Sequence, residues 1–160
     1  MKHIAVIGAG IAGLTLARRL GRQAKITLFE KSRGVSGRLS TRRLGDHEFD
    51  HGAQFFCARS KSFRQFLAPF IHEGLVAEWQ PKVLTIGLGK KPYKRDWFEP
   101  HYVAVPRMNS LCKHLSSNLD INLNTGITGL EKFAARDGPE WILHTGDITY
   151  QETFDWVIST

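Results

Sequence analysis

Cysteine is scarce in this chain: two residues among 160, Cys57 and Cys112, far apart in sequence. They form no C-x-x-C pair, so a redox dithiol and a thiolate zinc site are set aside, and two buried thiols are expected. The seven histidines are mostly scattered, with His47 and His51 alone at H-x-x-x-H spacing; no metal is expected. No apolar run approaches the ~20 residues of a membrane helix. The N-terminus lacks the order of a signal peptide. The expectation is a cytoplasmic protein with no membrane partner. Repeats and low-complexity tracts are also missing.

Acidic residues are outnumbered, with 15 Asp and Glu against 22 Lys and Arg and a net charge of +7. Such an excess suits nucleic acid or, equally, a phosphorylated cofactor. No nucleic-acid motif accompanies it, so nucleic acid is not expected as a partner. The charge gathers at Arg38, Arg42 and Arg43, and again at Lys90, Lys91, Lys94 and Arg95. The second cluster reads as a solvated loop. The length suits one domain, able to bury roughly 70% of its unfolded surface.

What is present is concentrated in the first thirty residues. Lys2 to Ile7 is a short apolar run that reads as a buried parallel strand. Gly8-Ala9-Gly10-Ile11-Ala12-Gly13 follows, then a helical stripe of Ile11, Leu14, Ala17 and Leu20 that stops at Gly21. A second apolar run, residues 25–30, ends in Glu30. Strand, glycine turn, helix, strand and acid occur in the order that binds a dinucleotide. Gly8 serves the tight turn, Gly10 the close approach of a pyrophosphate, and Gly13 the packing of helix on strand. The helix start, through Ile11 and Ala12, offers free N–H groups and the positive dipole end to an anion. Glu30 is placed to accept hydrogen bonds from ribose hydroxyls.

Farther along, Lys31 to Gly45 reads as a loop with a short helix, and Phe49 to Phe56 as a compact apolar segment around Gly52. The spacing of Phe63, Phe66, Leu67 and Phe70 predicts a helix disturbed near its end by Pro69. Trp79 to Gly87 and His101 to Val105 read as strands separated by a loop from Gly89 to Pro100. Met108, Leu111, Cys112 and Leu115 mark another helix, capped by Asn109 or Ser110. After a strand at 121–125 come three short strands, Ile127 to Phe133, Trp141 to His144 and Ile148 to Gln151. Asp137-Gly138 and Gly146-Asp147 supply the turns between them. Phe154 to Ile158 is a last buried strand. An antiparallel meander in place of a helical crossover looks like the FAD domain of the glutathione-reductase-type flavoproteins.

Two further motifs carry a closer resemblance. Glu30-Lys31-Ser32-Arg33-Gly34-Val35-Ser36-Gly37-Arg38-Leu39 resembles the E-K-x-x-x-x-G-G-R-[ML] segment of the FAD-dependent amine-oxidase superfamily, with Ser36 in place of its first glycine. The resemblance implies that the backbone at Lys31, Ser36 and Gly37 lies close to the cofactor and that Arg38 contacts the pyrophosphate, a role for which a guanidinium fork is suited. Phe49-Asp50-His51-Gly52-Ala53-Gln54, after Ser40-Thr41-Arg42-Arg43, looks like the bacterial renalase-like flavoproteins. That likeness implies that Gly52, Ala53 and Gln54 lie beside the flavin ring. His51 is a candidate base, but a structural histidine is expected, because flavin oxidation of an amine or dihydropyridine needs no strong protein base. Val103-Ala104-Val105-Pro106-Arg107-Met108 resembles the family's V-G-V-P-G-M turn, with Arg107 for glycine. Asn124-Thr125-Gly126-Ile127 resembles the strand whose backbone meets the adenine, and Ile127 is the best match for that contact.

The expected fold is α/β: a Rossmann-like FAD-binding domain of the glutathione-reductase type, formed by residues 1–56 and 108–160, with residues 57–107 as part of a substrate lobe. The C-terminal half of the family is expected to be missing, and the surface around Val157 and Ile158 is then open to self-association. The expected cofactor is FAD, and the expected partner a small-molecule substrate, either an amine or a dihydronicotinamide. No catalytic acid or base is named, because the flavin ring itself would accept the hydride. Two other readings stand: an NAD(P)-binding dehydrogenase domain, and a dinucleotide-binding module without turnover.

Overall fold

The structure is a computed structural model that describes residues 1–94, 99–135, 138–146 and 148–160. Arg95, Asp137 and Asp147, named above, lie outside the described residues. In chain order the elements are β1 (His3–Ile7), α1 (Ile11–Leu20), β2 (Lys25–Phe29), a 3-10 turn (Gly37–Leu39), β3 (Arg42–Leu44), β4 (His47–Phe49), β5 (Phe56–Cys57) and α2 (Lys61–His72). They continue as β6 (Val76–Trp79), β7 (Leu84–Gly87), β8 (Lys90–Lys94), β9 (His101–Ala104), α3 (Ser110–Ser116) and β10 (Asp120–Asn122). The last four are β11 (Gly129–Ala135), β12 (Gly138–Thr145), β13 (Ile148–Thr149) and β14 (Trp156–Ser159). The chain divides into two compact units, residues 1–40 with 112–160, and residues 41–111.

The first unit is built on a parallel sheet of order β10-β2-β1-β14. Ala5 pairs with Thr27 and Ile7 with Phe29, so these four side chains share one face, and Ile4, Val6, Ile26 and Leu28 the other. On the first face Ala5 and Phe29 form a cluster with Leu143 and Phe154, flanked by Ile127, Trp141, Tyr150 and Val157. The Phe29 ring meets Tyr150 and Phe154 edge-on, at 4.9 and 5.7 Å. The antiparallel sheet β11-β12-β13 supplies the upper half of that core. The crossover before the last strand is therefore a meander, as the turn glycines predict. The opposite face packs against α1, whose Gly13, Leu14 and Ala17 are buried. Arg18 on α1 donates to the carbonyls of His114, Leu115 and Ser117 at the end of α3. These bonds reach carbonyls at the C-terminal end of α3, where the helical ladder runs out.

The second unit carries the antiparallel sheet β5-β9-β6, the helix α2 and two hairpins, β3-β4 and β7-β8. The Ser60 hydroxyl caps α2 by accepting from the N–H of Phe63. This helix differs from expectation in running through Pro69 to His72. The Glu73 N–H bonds to the Pro69 carbonyl, so the last turn closes on an acceptor that proline retains. The expected loop after Arg38 contains β3 and β4, a hairpin held by Arg43 pairing with Glu48. The lysine cluster, expected in a loop, lies largely on β8, because Gly89 at φ +72° permits a tight return from β7. Cys57 departs from the expectation of two buried thiols: it is half-exposed, while Cys112 is buried. Burial pushes the Cys112 thiol up to about 11.

Asp50 has a structural task in this unit. Its carboxylate accepts from the Thr41 hydroxyl at 2.5 Å and from the N–H of Met108 at 3.2 Å. The Thr41 hydroxyl in turn accepts from the N–H of Asn109. Arg107, which replaces the expected glycine, is ion-paired with Glu48 and so tied to the β3-β4 hairpin.

Candidate dinucleotide site

The carboxyl ends of β1 and β2 open into a cavity of about 540 Å³ within the first unit. Its floor is the glycine turn. Gly8 has φ +105°, a conformation that a side chain resists. A Cβ on Gly13 would stand 2.1 Å from the carbonyl oxygen of Gly8, so helix and turn could not close with any other residue there. Gly10 differs from both. Its φ is −78°, and a Cβ there would meet nothing within 4 Å. Neither backbone nor packing demands a glycine at position 10, which is one of the residues lining the cavity.

Gly10 caps α1 without a side-chain hydrogen bond. The first N–H groups of the helix are thus left for an anion. Gly8, Gly10, Ile11, Ala12, Glu30, Lys31, Ser36, Gly37, Arg38 and Ile127 all line the cavity. Arg38 and Lys31 are exposed and have no ion pair among the described residues. Two unpaired cations beside a helix start make the cavity attractive to phosphate.

Glu30 is 7% exposed. One carboxylate oxygen accepts from the N–H of Ala9 at 2.9 Å, the other from the N–H of Ser32 at 2.9 Å. These bonds fix the acid at the mouth of β2 and brace the glycine turn. The lone pairs left over can accept from hydroxyls of a ligand. Glu30→Gln should retain part of this bracing. Glu30→Ala leaves the Ala9 N–H without a partner and is expected to destabilise the fold by about 1–3 kcal/mol, read as a shift of the urea midpoint relative to the Gln variant.

Ser36 is buried and has φ 127°, which explains why glycine suits this position in the motif it resembles. Its N–H bonds to the Ala9 carbonyl at 3.0 Å, closing the loop onto the glycine turn. Its hydroxyl makes no hydrogen bond of ordinary geometry. Strain and an unsatisfied hydroxyl act together, so Ser36→Gly should stabilise the protein by about 1 kcal/mol. A denaturant midpoint that falls in this variant would contradict the assignment of strain.

Thr160 lines the cavity without a sequence signal of its own. Thr160 donates its hydroxyl to the carbonyls of Ile7 and Gly8, both at 3.2 Å, locking the turn from the side of β14. Thr125 donates its N–H to the Glu30 carbonyl and, with Gly126, brings Ile127 to the cavity wall. Gly52, Ala53 and Gln54 belong to the second unit. The Gln54 side chain is exposed and unpartnered among the described residues.

Residues 6–70 match the family model of the NAD(P)-binding Rossmann-like domain. Curated relatives align over the same order of length. Coproporphyrinogen III oxidase of Mycobacterium tuberculosis (strain ATCC 25618 / H37Rv) is 42% identical over 67 residues, which are 39% of this chain and 15% of that protein. The 1-hydroxycarotenoid 3,4-desaturase of Flavobacterium sp. (strain P99-3) is 40% identical over 57 residues, 35% of this chain and 12% of that one. The 4,4'-diapophytoene desaturase of Staphylococcus aureus (strain Newman) is 44% identical over 50 residues, 31% of this chain and 10% of that one. The matched segments thus span a small fraction of each relative. A crystal structure described as that of a protoporphyrinogen oxidase from Exiguobacterium sp. 255-15 superposes with a TM-score of 0.70 at 13% identity, covering all of this chain and 59% of its own. At that identity the likeness concerns the fold, which is Rossmann-like α/β. Among the described residues no helix is long and apolar enough to cross a membrane.

Proposed function

We propose that this chain is the cofactor-binding portion of an FAD-dependent oxidoreductase of the renalase-like type. The observation that carries the reading is Gly10: a glycine that the fold itself does not require, set in a cavity with unpaired Arg38 and Lys31 and with the helix start. A diphosphate supplies the missing reason for its small size. Gly8 and Gly13 shape the turn. Glu30 receives a ribose, Arg38 the pyrophosphate, and the backbone at Ile127 the adenine. Gly52, Ala53 and Gln54 are assigned to the flavin ring. The meander between β10 and β14 favours FAD over a nicotinamide cofactor, because nicotinamide domains usually cross by helices.

When bound, FAD supplies a two-electron acceptor. The chain's own residues hold and orient it, and no side chain is assigned as a proton donor or acceptor. The substrate is proposed to be an amine or a dihydronicotinamide, with oxygen or another acceptor taking the electrons. The relatives named as an oxidase and as desaturases share the removal of hydrogen from an organic substrate. A second reading, an NAD(P)-binding domain, is favoured by the description of the matching family model. A competition between FAD and NAD(P)H for the purified protein separates the two. FAD retention with a yellow colour supports the first; displacement of FAD by equimolar NADPH overturns it.

A further inference from the structure

Among the described residues the β7-β8 hairpin pairs with no other strand and lines no part of the cavity. It forms a two-stranded sheet by itself, a unit that is marginal in water unless something covers it. Leu84, Ile86 and Leu88 fall on alternate positions and are 61%, 78% and 106% exposed. Tyr93, opposite Thr85, is 60% exposed. Around these residues stand Lys82, Lys90, Lys91 and Lys94, all exposed. Residues 80–94 hold no acidic side chain, and these four lysines make no ion pair among the described residues.

Apolar side chains and a tyrosine on one hand, and exposed lysines with no ion pair among the described residues on the other, are two halves of one requirement. The occupant must accept hydrocarbon and carry negative charge. An acidic protein surface meets the second condition more readily than the first, and a nucleic acid offers no hydrocarbon for Leu88 or Ile86. The surface of a bilayer containing anionic lipid meets both. We propose that the β7-β8 hairpin is a peripheral docking element for such a bilayer. Leu88 and Ile86 enter the acyl boundary, Tyr93 sits at headgroup level, and the four lysines pair with lipid phosphates or carboxylates. This contact lies on the membrane and spans nothing, so it is compatible with the lack of a long apolar helix. It departs from the expectation of no membrane partner, which rested on helix length alone. The inference does not depend on the cofactor.

Flotation of the full chain with two vesicle types tests it. Phosphatidylcholine vesicles should carry little protein, and vesicles with about one-third phosphatidylserine should carry most of it. K90A/K91A should lower the partition coefficient about thirtyfold, given about 1 kcal/mol for each lysine near an anionic surface. R22A/K113A removes the same charge outside the hairpin and should change it less than about threefold. L88W should shift its fluorescence to the blue on mixing with the anionic vesicles only. Equal losses in the two alanine pairs would show a general attraction to the basic chain and overturn the proposal. So would an unshifted L88W spectrum, an absence of flotation, or binding to nucleic acid or to other copies of the chain without binding to vesicles.

Discussion

Gly13→Ala is expected to damage the fold itself. The added methyl would stand 2.1 Å from the Gly8 carbonyl oxygen and 2.9 Å from the Thr160 hydroxyl. The first neighbour is backbone, already held by the hydrogen bond from the Gly8 N–H to the Phe29 carbonyl at 2.8 Å. It cannot yield without moving the turn away from β2. Alanine gains about 1 kcal/mol of helix propensity over glycine, but overpacking of this kind costs about 1–3 kcal/mol, and more where backbone must move. A net loss of about 2 kcal/mol or more is expected, or a melting temperature lower by at least roughly 4–8 °C. Thermal unfolding without added ligand is the measurement. An unchanged midpoint would mean that α1 does not approach β1 as closely as described.

Gly10→Val is expected to do the reverse. Position 10 has extended backbone and open space for a Cβ, so the loss of stability should be limited to that of valine for glycine at a helix N-cap, about 1 kcal/mol. The valine side chain would instead occupy the volume between the helix start and Arg38, where the diphosphate is placed. FAD affinity should fall more than about a hundredfold, or about 2.8 kcal/mol. The two glycines stand three residues apart in one motif, yet one is required by the fold and the other is proposed to be required by the ligand. A Gly10→Val variant that unfolds, or one that binds FAD normally, would break that division.

The portions of the fold that were legible in the sequence are the locally encoded ones. β1, α1 and β2 follow from uninterrupted apolar runs and from a helical stripe that ends at Gly21, the observed cap. The meander follows from Gly138 and Gly146, which take φ +122° and +59° at its turns. In the hairpins of the second unit only β7 falls within an expected strand, Trp79 to Gly87; β3, β4 and β8 were not legible. Arg42 to Leu44 and Lys90 to Lys94 are exposed throughout, so no period of two marks them as strands. They are set by turns and cross-strand pairs such as Arg43 with Glu48. At the cavity, residue types announced Gly8, Gly10, Gly13, Glu30 and Arg38 as members of a site. Their division of labour was hidden. Glu30 braces Ala9 and Ser32, Thr160 locks the turn from another strand, and Ser36 holds a glycine-like conformation. Each depends on which atoms the folded backbone brings together, which residue type alone does not specify.

The placement of a diphosphate at the start of α1 can be measured by calorimetric titration with three ligands: FAD, adenosine diphosphate and riboflavin. Saturable binding of FAD, competed by adenosine diphosphate and not by riboflavin, is the predicted result, since the cavity is proposed to take the adenosine diphosphate half. Riboflavin binding as tightly as FAD, with no effect of adenosine diphosphate, would contradict it.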